Sequence, residues 1–337
     1  MPIVVYDGFM EKENYSNARI INDSEISTYN IVIGIVDLIQ AIFICSGNAL
    51  TIIAVWKTPA LRRIPNMYVV CLAVADFLSG IILFYEFLLR LTSLRLEKNV
   101  FLCLSVYVGL YITVYESVLC MFLLTFDRFL YICHPYEYAR FVTARSTKIS
   151  ITISWILAIV YGFSPMILYA DATTECTYGV IPKEFHYYGK GIAFFVPLAL
   201  CLGLHSYILK TAVDQQRKLR KMLNLPLRLD MKKRRPALTP FSNYLKIMRM
   251  FLLVYCLFFI CWCPWVISSI LREKYHISDK VLDILALIGM CNSGFNFVIY
   301  VLLNKEIRKT IQRMLCTKPC ATNNEQSPVS RNSVDPK

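Results

Sequence analysis

The chain has 337 residues, 56% of them apolar, a mean hydropathy of +0.50 and a formal net charge of +13. This hydropathy excludes an ordinary soluble globular protein of that length. The positive charge lies mainly on one side of the expected membrane, which indicates contact with anionic membrane lipid and not with nucleic acid.

Residues 1–29 are polar, and we expect them to form an extracellular tail without a cleavable signal peptide. The segments after the odd-numbered apolar blocks carry 26 of the 36 Lys and Arg residues, so the positive-inside rule places these segments and the C-terminus in the cytoplasm. An odd number of spans then places the N-terminus outside. Two glycosylation sequons begin at Asn14 and Asn22 on that side.

Seven apolar blocks follow this tail, and each supplies the ~20 residues that cross ~30 Å of hydrocarbon as a helix. The predicted fold class is therefore an all-α membrane protein, a seven-helix transmembrane bundle over residues 30–303. The blocks lie at about 30–56, 66–90, 100–133, 148–169, 189–213, 243–272 and 279–303.

Two of the 13 cysteines lie at the expected outer surface. Cys103 is near the start of the third block, and Cys176 is in the segment between the fourth and fifth blocks. Two cysteines that share an oxidising compartment usually pair. We therefore expect a disulfide between them.

Polar residues inside the blocks mark candidate functional positions, because a charge is costly in lipid. Asp76, in the second block, needs hydrogen-bond partners, a cation or a proton. The pair Asp127-Arg128 lies near the end of the third block. Glu86 has two interpretations: it pairs with a cationic group of a ligand, or with Arg90 one turn later on the same helix.

Residues 304–316 predict a short amphipathic helix on the inner leaflet, because Ile307, Ile311 and Leu315 share one face. Cys316 is a candidate for palmitoylation, with a free thiol as the alternative. The polar tail 317–337 is predicted to be disordered.

The chain resembles a rhodopsin-like (class A) G-protein-coupled receptor over residues 30–316. The resemblance rests on motifs that occur in order along the seven blocks: Gly47-Asn48, Leu72 to Asp76, Cys103 with Asp127-Arg128-Phe129, Trp155 with Pro165, Pro197, Phe258 with Cys261-Trp262-Cys263-Pro264, and Asn292-Ser293 with Asn296 to Tyr300. It implies a receptor that is not an enzyme, located at the plasma membrane. The implied partners are a heterotrimeric G protein, arrestin, a receptor kinase, membrane lipid and an extracellular ligand.

The resemblance also implies roles for single residues. Arg128 pairs with Asp127 at rest and meets the G protein when the sixth helix swings outward. Pro264 kinks that helix, and Trp262 and Phe258 transmit the movement. The implied cofactor is at most a sodium ion at Asp76, Ser117 and Asn292, with a purely structural hydrogen-bond network as the alternative.

Four positions depart from the family pattern: Phe129 and His205 each replace a Tyr, Phe297 replaces a Pro, and Tyr244 replaces an acid at the base of the sixth helix. These changes suggest the hypothesis of an altered resting balance with raised basal signalling. We also count Asn296 and Tyr300, which lie in the same motif as Phe297, among the activation residues.

The candidate ligand pocket is mostly aromatic. Leu110 stands where amine receptors carry Asp, and Met290 where opsins carry the retinal lysine, so an opsin is excluded and standard monoamine recognition is disfavoured. We expect a small molecule or short peptide as the ligand, although aromatic residues at helical spacing also serve as core. The pocket candidates are Glu86, Leu110, Tyr111, Val114, Tyr115, Phe194, Trp262, Trp265 and Met290.

Three other functions are compatible with a membrane fold. A scavenger or non-signalling receptor would retain the seven helices, and the departures at Phe297 and His205 favour it. A transporter would show internal repeats or broken helices, which the sequence lacks. A membrane hydrolase is disfavoured because the four histidines are dispersed without metal-ligand spacing.

Overall fold

The computed structural model describes residues 28–91, 100–169, 185–223 and 231–315. These residues form seven long helices, and each contains a stretch long and apolar enough to cross a membrane. The predicted all-α, seven-helix fold is therefore confirmed. The helices are α1 Thr28–Lys57, α2 Ile64–Leu91, α3 Val100–Cys133, α4 Ala144–Tyr169, α5 Gly191–Leu223, α6 Met231–Tyr275 and α7 Asp279–Leu303.

The outward faces of the bundle are apolar. Large side chains on several helices are more than 60% exposed, among them Trp56, Val160, Ile167, Ile260 and Leu302. Soluble proteins rarely expose so large an apolar surface to water, whereas a membrane protein exposes it to lipid. The polar groups of the helices lie inside, as expected for a chain that spans hydrocarbon.

Successive helices run in opposite directions, which gives the bundle two ends. At the end called here the N-terminal face, the Tyr29 hydroxyl of α1 donates to the backbone oxygen of Lys280 in α7, 3.3 Å away. At the opposite end, the C-terminal face, the Thr58 hydroxyl lies 3.4 Å from the Thr310 hydroxyl. Residues 29 and 280 thus share one face, and residues 58 and 310 the other.

The predicted amphipathic helix forms as α8, Lys305–Leu315. The Asn304 side-chain oxygen accepts hydrogen bonds from the backbone N–H groups of Glu306 and Ile307, at 3.1 and 3.2 Å. This cap satisfies donors that the first turn leaves open. Ile307 and Ile311 are buried against the bundle, and Leu315 is exposed.

A short helix between α3 and α4, Pro135–Phe141, was not predicted. Its sequence signal is Pro135, since proline at a first helical position has the right φ and lacks only an N–H that would be unsatisfied there. The turn between α6 and α7 uses His276 at φ 50°. That left-handed conformation ends α6 after Tyr275.

Two helices begin earlier than their apolar blocks. A turn of π-helix, Phe185–Lys190, precedes α5, and α6 begins at Met231 and not near residue 243. Apolarity marks only the part of a helix within lipid, so a helix that continues into water is longer than its block. The predicted modification sites Asn14, Asn22, Cys176 and Cys316 lie outside the described residues, as does the side chain of Cys103.

Candidate functional site

The centre of the bundle contains a buried carboxylate. Asp76 of α2 is fully buried, and its two oxygens accept hydrogen bonds from Asn296 Nδ2 of α7 at 2.9 Å and from Ser117 Oγ of α3 at 3.5 Å. Asn48 of α1 donates to the backbone oxygen of Ser293 at 3.1 Å. These hydrogen bonds connect polar side chains of four different helices.

This centre is rich in oxygen atoms. The side-chain oxygens of Asn48, Asn292 and Asn296 are buried and accept no hydrogen bond from the described residues. Hard cations prefer carboxylate, hydroxyl and amide oxygens. The residues around Asp76 therefore fit a sodium ion by their chemistry. The Tyr300 hydroxyl is also fully buried and has no hydrogen-bond partner among the described residues.

Asp127 and Arg128 form a buried ion pair near the C-terminal end of α3. Arg128 Nε donates to Asp127 Oδ2 at 2.9 Å, and an Nη2 hydrogen bond reaches the same oxygen. The Tyr138 hydroxyl of the short helix donates to the second oxygen, Oδ1, at 3.2 Å. The guanidinium also lies 5.2 Å from the centre of the Tyr131 ring, close enough for a cation–π contact.

The Tyr138 hydroxyl remains a hydrogen-bond donor to Asp127 across the physiological pH range. Its burial and the adjacent negative charge of Asp127 raise the pKa of Tyr138 to about 12. The phenol therefore keeps its proton throughout the physiological pH range. Tyr138 was missed by the motif comparison, because it lies outside every apolar block.

Three of the four departures from the family pattern are accommodated by packing, and the side chain of the fourth, Tyr244, lies outside the described residues. The Phe297 ring lies against α1 at Gly47, where an added Cβ would approach Phe297 Cδ1 to 2.6 Å. His205 is buried, with Nδ1 2.9 Å from the Cys201 backbone oxygen and its ring stacked on Tyr255 at 5.6 Å. Phe129 packs edge-on against Tyr207 of α5, at 5.7 Å between ring centroids.

A continuous row of aromatic rings runs along α6. The Trp265 ring meets Trp262 at 5.7 Å, Trp262 lies 6.5 Å from Phe258, and Phe258 stacks on Phe194 of α5 at 5.8 Å. Trp262 packs against Gly289 of α7, where a Cβ would approach its ring to 2.7 Å. The ring row therefore connects the pocket region to the middle of the bundle.

The predicted pocket residues other than Glu86 lie in or against the apolar core of the bundle. Tyr111, Phe194, Trp262, Trp265 and Met290 are buried in one apolar cluster, and the half-buried Leu110, Val114 and Tyr115 pack against it. The structure adds three residues that the sequence did not suggest: Tyr161, Phe185 and Lys190. The first two contact Tyr111 at centroid distances of 6.3 and 5.4 Å.

Lys190 lies at the start of the fifth apolar block, and the sequence did not single it out. The helical segment begins at Phe185, and this turns the Lys190 side chain into the bundle, where it is 3% exposed. The sequence signal for this position was a single lysine flanked by two glycines at the edge of an apolar block. Hydropathy alone does not show whether such a side chain points into the bundle or away from it.

Glu86 belongs to a cluster of charges at the N-terminal face. The Arg90 guanidinium lies 2.6 Å from Glu86, 3.2 Å from Asp37 of α1 and 3.8 Å from Asp283 of α7. Of the two interpretations of Glu86, the structure thus forms the intrahelical pair. A ligand role for Glu86 stays a prediction, and Asp37 was not singled out by the sequence.

A second acid group lies between α2, α3 and α4. Glu116 Oε1 accepts hydrogen bonds from Ser154 Oγ at 2.8 Å and from the thiols of Cys71 and Cys120, each at 3.2 Å. All four residues are buried. The carboxyl group joins three helices at a site that contains none of the family motifs.

Seven membrane-spanning helices, a buried Asp–Asn centre and an Asp–Arg pair at one end define a transmembrane receptor of the seven-helix class. The chain matches the model of the 7 transmembrane receptor (rhodopsin family) over residues 47–300, and it belongs to that family.

Its curated relatives are distant. The chain is 23% identical to the human histamine H2 receptor, in an alignment that covers 91% of this chain and 84% of the relative. Identity is 24% to dopamine receptor 1 of Drosophila melanogaster, covering 92% and 70%, and 25% to the rat somatostatin receptor type 5, covering 81% and 74%. The chain is therefore a G-protein-coupled receptor whose subfamily these identities do not assign.

Proposed function

We propose that this receptor transmits an extracellular ligand signal to a heterotrimeric G protein at the plasma membrane, with the N-terminal face outside. The observation that carries the proposal is the buried Asp127–Arg128 pair at the C-terminal face. A buried charge pair is costly to maintain in a membrane bundle. It is suited to a switch, because the guanidinium can exchange its intramolecular partner for an external one.

Outward movement of α6 is the proposed activating step. Pro264 removes one backbone hydrogen bond within α6 and weakens the helix there. Trp262 and Phe258 lie below the pocket on the same helix, so a ligand that shifts their packing biases α6 between two arrangements. Arg128 would then be released towards the G protein.

The first test measures basal G-protein activation across the main G-protein families at matched surface expression. We expect activity above mock cells for the wild type and none for Arg128→Ala, because the mutant lacks the group that meets the G protein. Asp127→Asn serves as a positive control, since it frees Arg128. Failure of both wild type and Asp127→Asn to activate any family would contradict coupling and favour a non-signalling receptor.

We further propose that Asp76, Ser117 and Asn292 hold a sodium ion in the resting receptor, because Ser117 contacts the Asp76 carboxylate and the side-chain oxygen of Asn292 is buried without a hydrogen-bond partner among the described residues. Sodium would supply the positive charge that compensates the buried Asp76 carboxylate.

Replacing potassium with sodium in the buffer is expected to raise the Tm of the purified receptor, since an ion that binds only the folded state stabilises it. The Asp76→Asn variant should lose this response. Equal Tm values of the wild type in the two salts would contradict the sodium site.

The ligand is proposed to be a small molecule or short peptide. The relatives are named as histamine, dopamine, octopamine and somatostatin receptors, which supports ligands of this size. Leu110 and Met290 are apolar where amine receptors and opsins carry their charged ligand contacts, so neither a standard monoamine nor retinal is proposed. Arrestin, a receptor kinase and lipid contact through α8 and Cys316 complete the proposed partners.

A further inference from the structure

The pocket region contains a buried lysine side chain that forms no ion pair with any described residue. Lys190 is 3% exposed, and its ammonium lies 4.3 Å from the Trp265 ring centroid and 5.3 Å from that of Tyr111. No acceptor among the described residues takes a hydrogen bond from Lys190 Nζ. The two rings stabilise the charge from the side, but they leave its N–H donors unused.

The neighbouring polar groups are donors as well. The Tyr111 hydroxyl and the Trp265 indole Nε1 are buried and have no hydrogen-bond partner among the described residues. An ammonium and an indole N–H can only donate, and a phenol usually donates to an acceptor of higher charge. Three unfilled donors therefore belong to one small region of the bundle.

The acids that the structure describes at the N-terminal face have other partners. Asp37, Glu86 and Asp283 gather around Arg90, and none of them forms an ion pair with Lys190. A buried ammonium is costly unless an anion and acceptors accompany it. No described residue supplies such a partner to Lys190, and the group that fits is acceptor-only and negatively charged.

We propose that the ligand of this receptor carries a carboxylate that pairs with Lys190, on an aromatic body that packs among Tyr111, Phe185 and Trp265. The inference deepens the proposed function, because it names the ligand class of that receptor. A carboxylate can accept hydrogen bonds from all three donors, and its negative charge compensates the positive charge of the ammonium. The Tyr111, Phe185 and Trp265 rings favour a flat apolar body.

This site is connected to the activation residues. The Trp265 ring, which covers the ammonium, contacts Trp262 at 5.7 Å, and the ring row continues to Phe258. An anion that draws Lys190 out from between the two rings changes the packing of Trp265 directly. Ligand charge is thereby coupled to α6.

The experiment measures ligand binding through the Tm of the purified full-length receptor, without G protein. The probes are indole-3-acetate and phenylacetate, each compared with its neutral amide at matched millimolar concentration and constant ionic strength. An acid at about ten times its Kd should raise the Tm by about 2 °C, while the amides leave it unchanged. Lys190→Met should abolish the rise and Lys190→Arg should retain it.

Two controls make each outcome decisive. Lys210→Met removes an exposed lysine of the same helix and should respond to the acids as the wild type does; Lys190→Gln replaces Lys190→Met if the latter does not fold. The proposal is overturned if neither acid raises the Tm, if the amides act equally, or if the rise persists without Lys190. Since no G protein is present, these failures are separate from a failure of coupling.

Discussion

Replacing Arg90 with methionine is expected to destabilise the receptor by about 3–5 kcal/mol, the usual cost of removing one partner from a buried ion pair. Asp37 is 1% exposed and has Arg90 as its ion-pair partner at 3.2 Å. The variant would leave that carboxylate uncompensated between α1 and α2. We expect a large loss of surface expression and of Tm, measured in the purified receptor.

A double variant separates this effect from lost packing. Asp37→Asn combined with Arg90→Met removes the stranded charge, so we expect it to recover most of the stability that Arg90→Met loses. Arg272→Met is the matched control at the same face, because its pair with Asp279 at 2.6 Å is partly exposed. That variant should cost at most about 1 kcal/mol. Equal losses in both single variants would contradict the role assigned to burial.

The helices were predictable because the energy of burial in lipid is additive along the chain. A run of ~20 apolar residues spans the membrane whatever its neighbours are, and all seven blocks are helices. The C-terminal face was predictable for a similar reason: Asp127 and Arg128 are adjacent, so their pair needs no knowledge of tertiary structure. The amphipathic α8 followed from the spacing of Ile307 and Ile311.

Partners that lie far apart in sequence and outside the family motifs were not predictable. Asp37 and Arg90 meet because of the rotation of α1 and α2 about their axes, and Lys190 enters the pocket because a π-helical turn shifts the start of the helical segment. Hydropathy gives neither rotation nor the exact helix start. Tyr138 was missed for a different reason, since its helix is short and lies outside the apolar blocks.

The Asp127→Asn variant is expected to raise basal signalling about tenfold or more. The neutral amide keeps the shape of Asp127 but loses the charge that holds Arg128, and a hydrogen bond to a charged group contributes about 1.5–3 kcal/mol. Because about 1.4 kcal/mol corresponds to a factor of ten in a population, the resting state loses at least that factor. The measurement is ligand-free G-protein activation at matched surface expression.

Tyr138→Phe tests whether the charge or the local packing matters. It removes only the hydrogen bond of 3.2 Å to the other oxygen of Asp127, so its basal increase should be a few-fold at most. Adding Arg128→Ala to Asp127→Asn should abolish the increase, since the freed guanidinium is the group that acts. A double variant that keeps the raised activity would show that Asp127 restrains some group other than Arg128, and the switch would then have to be assigned elsewhere on the C-terminal face.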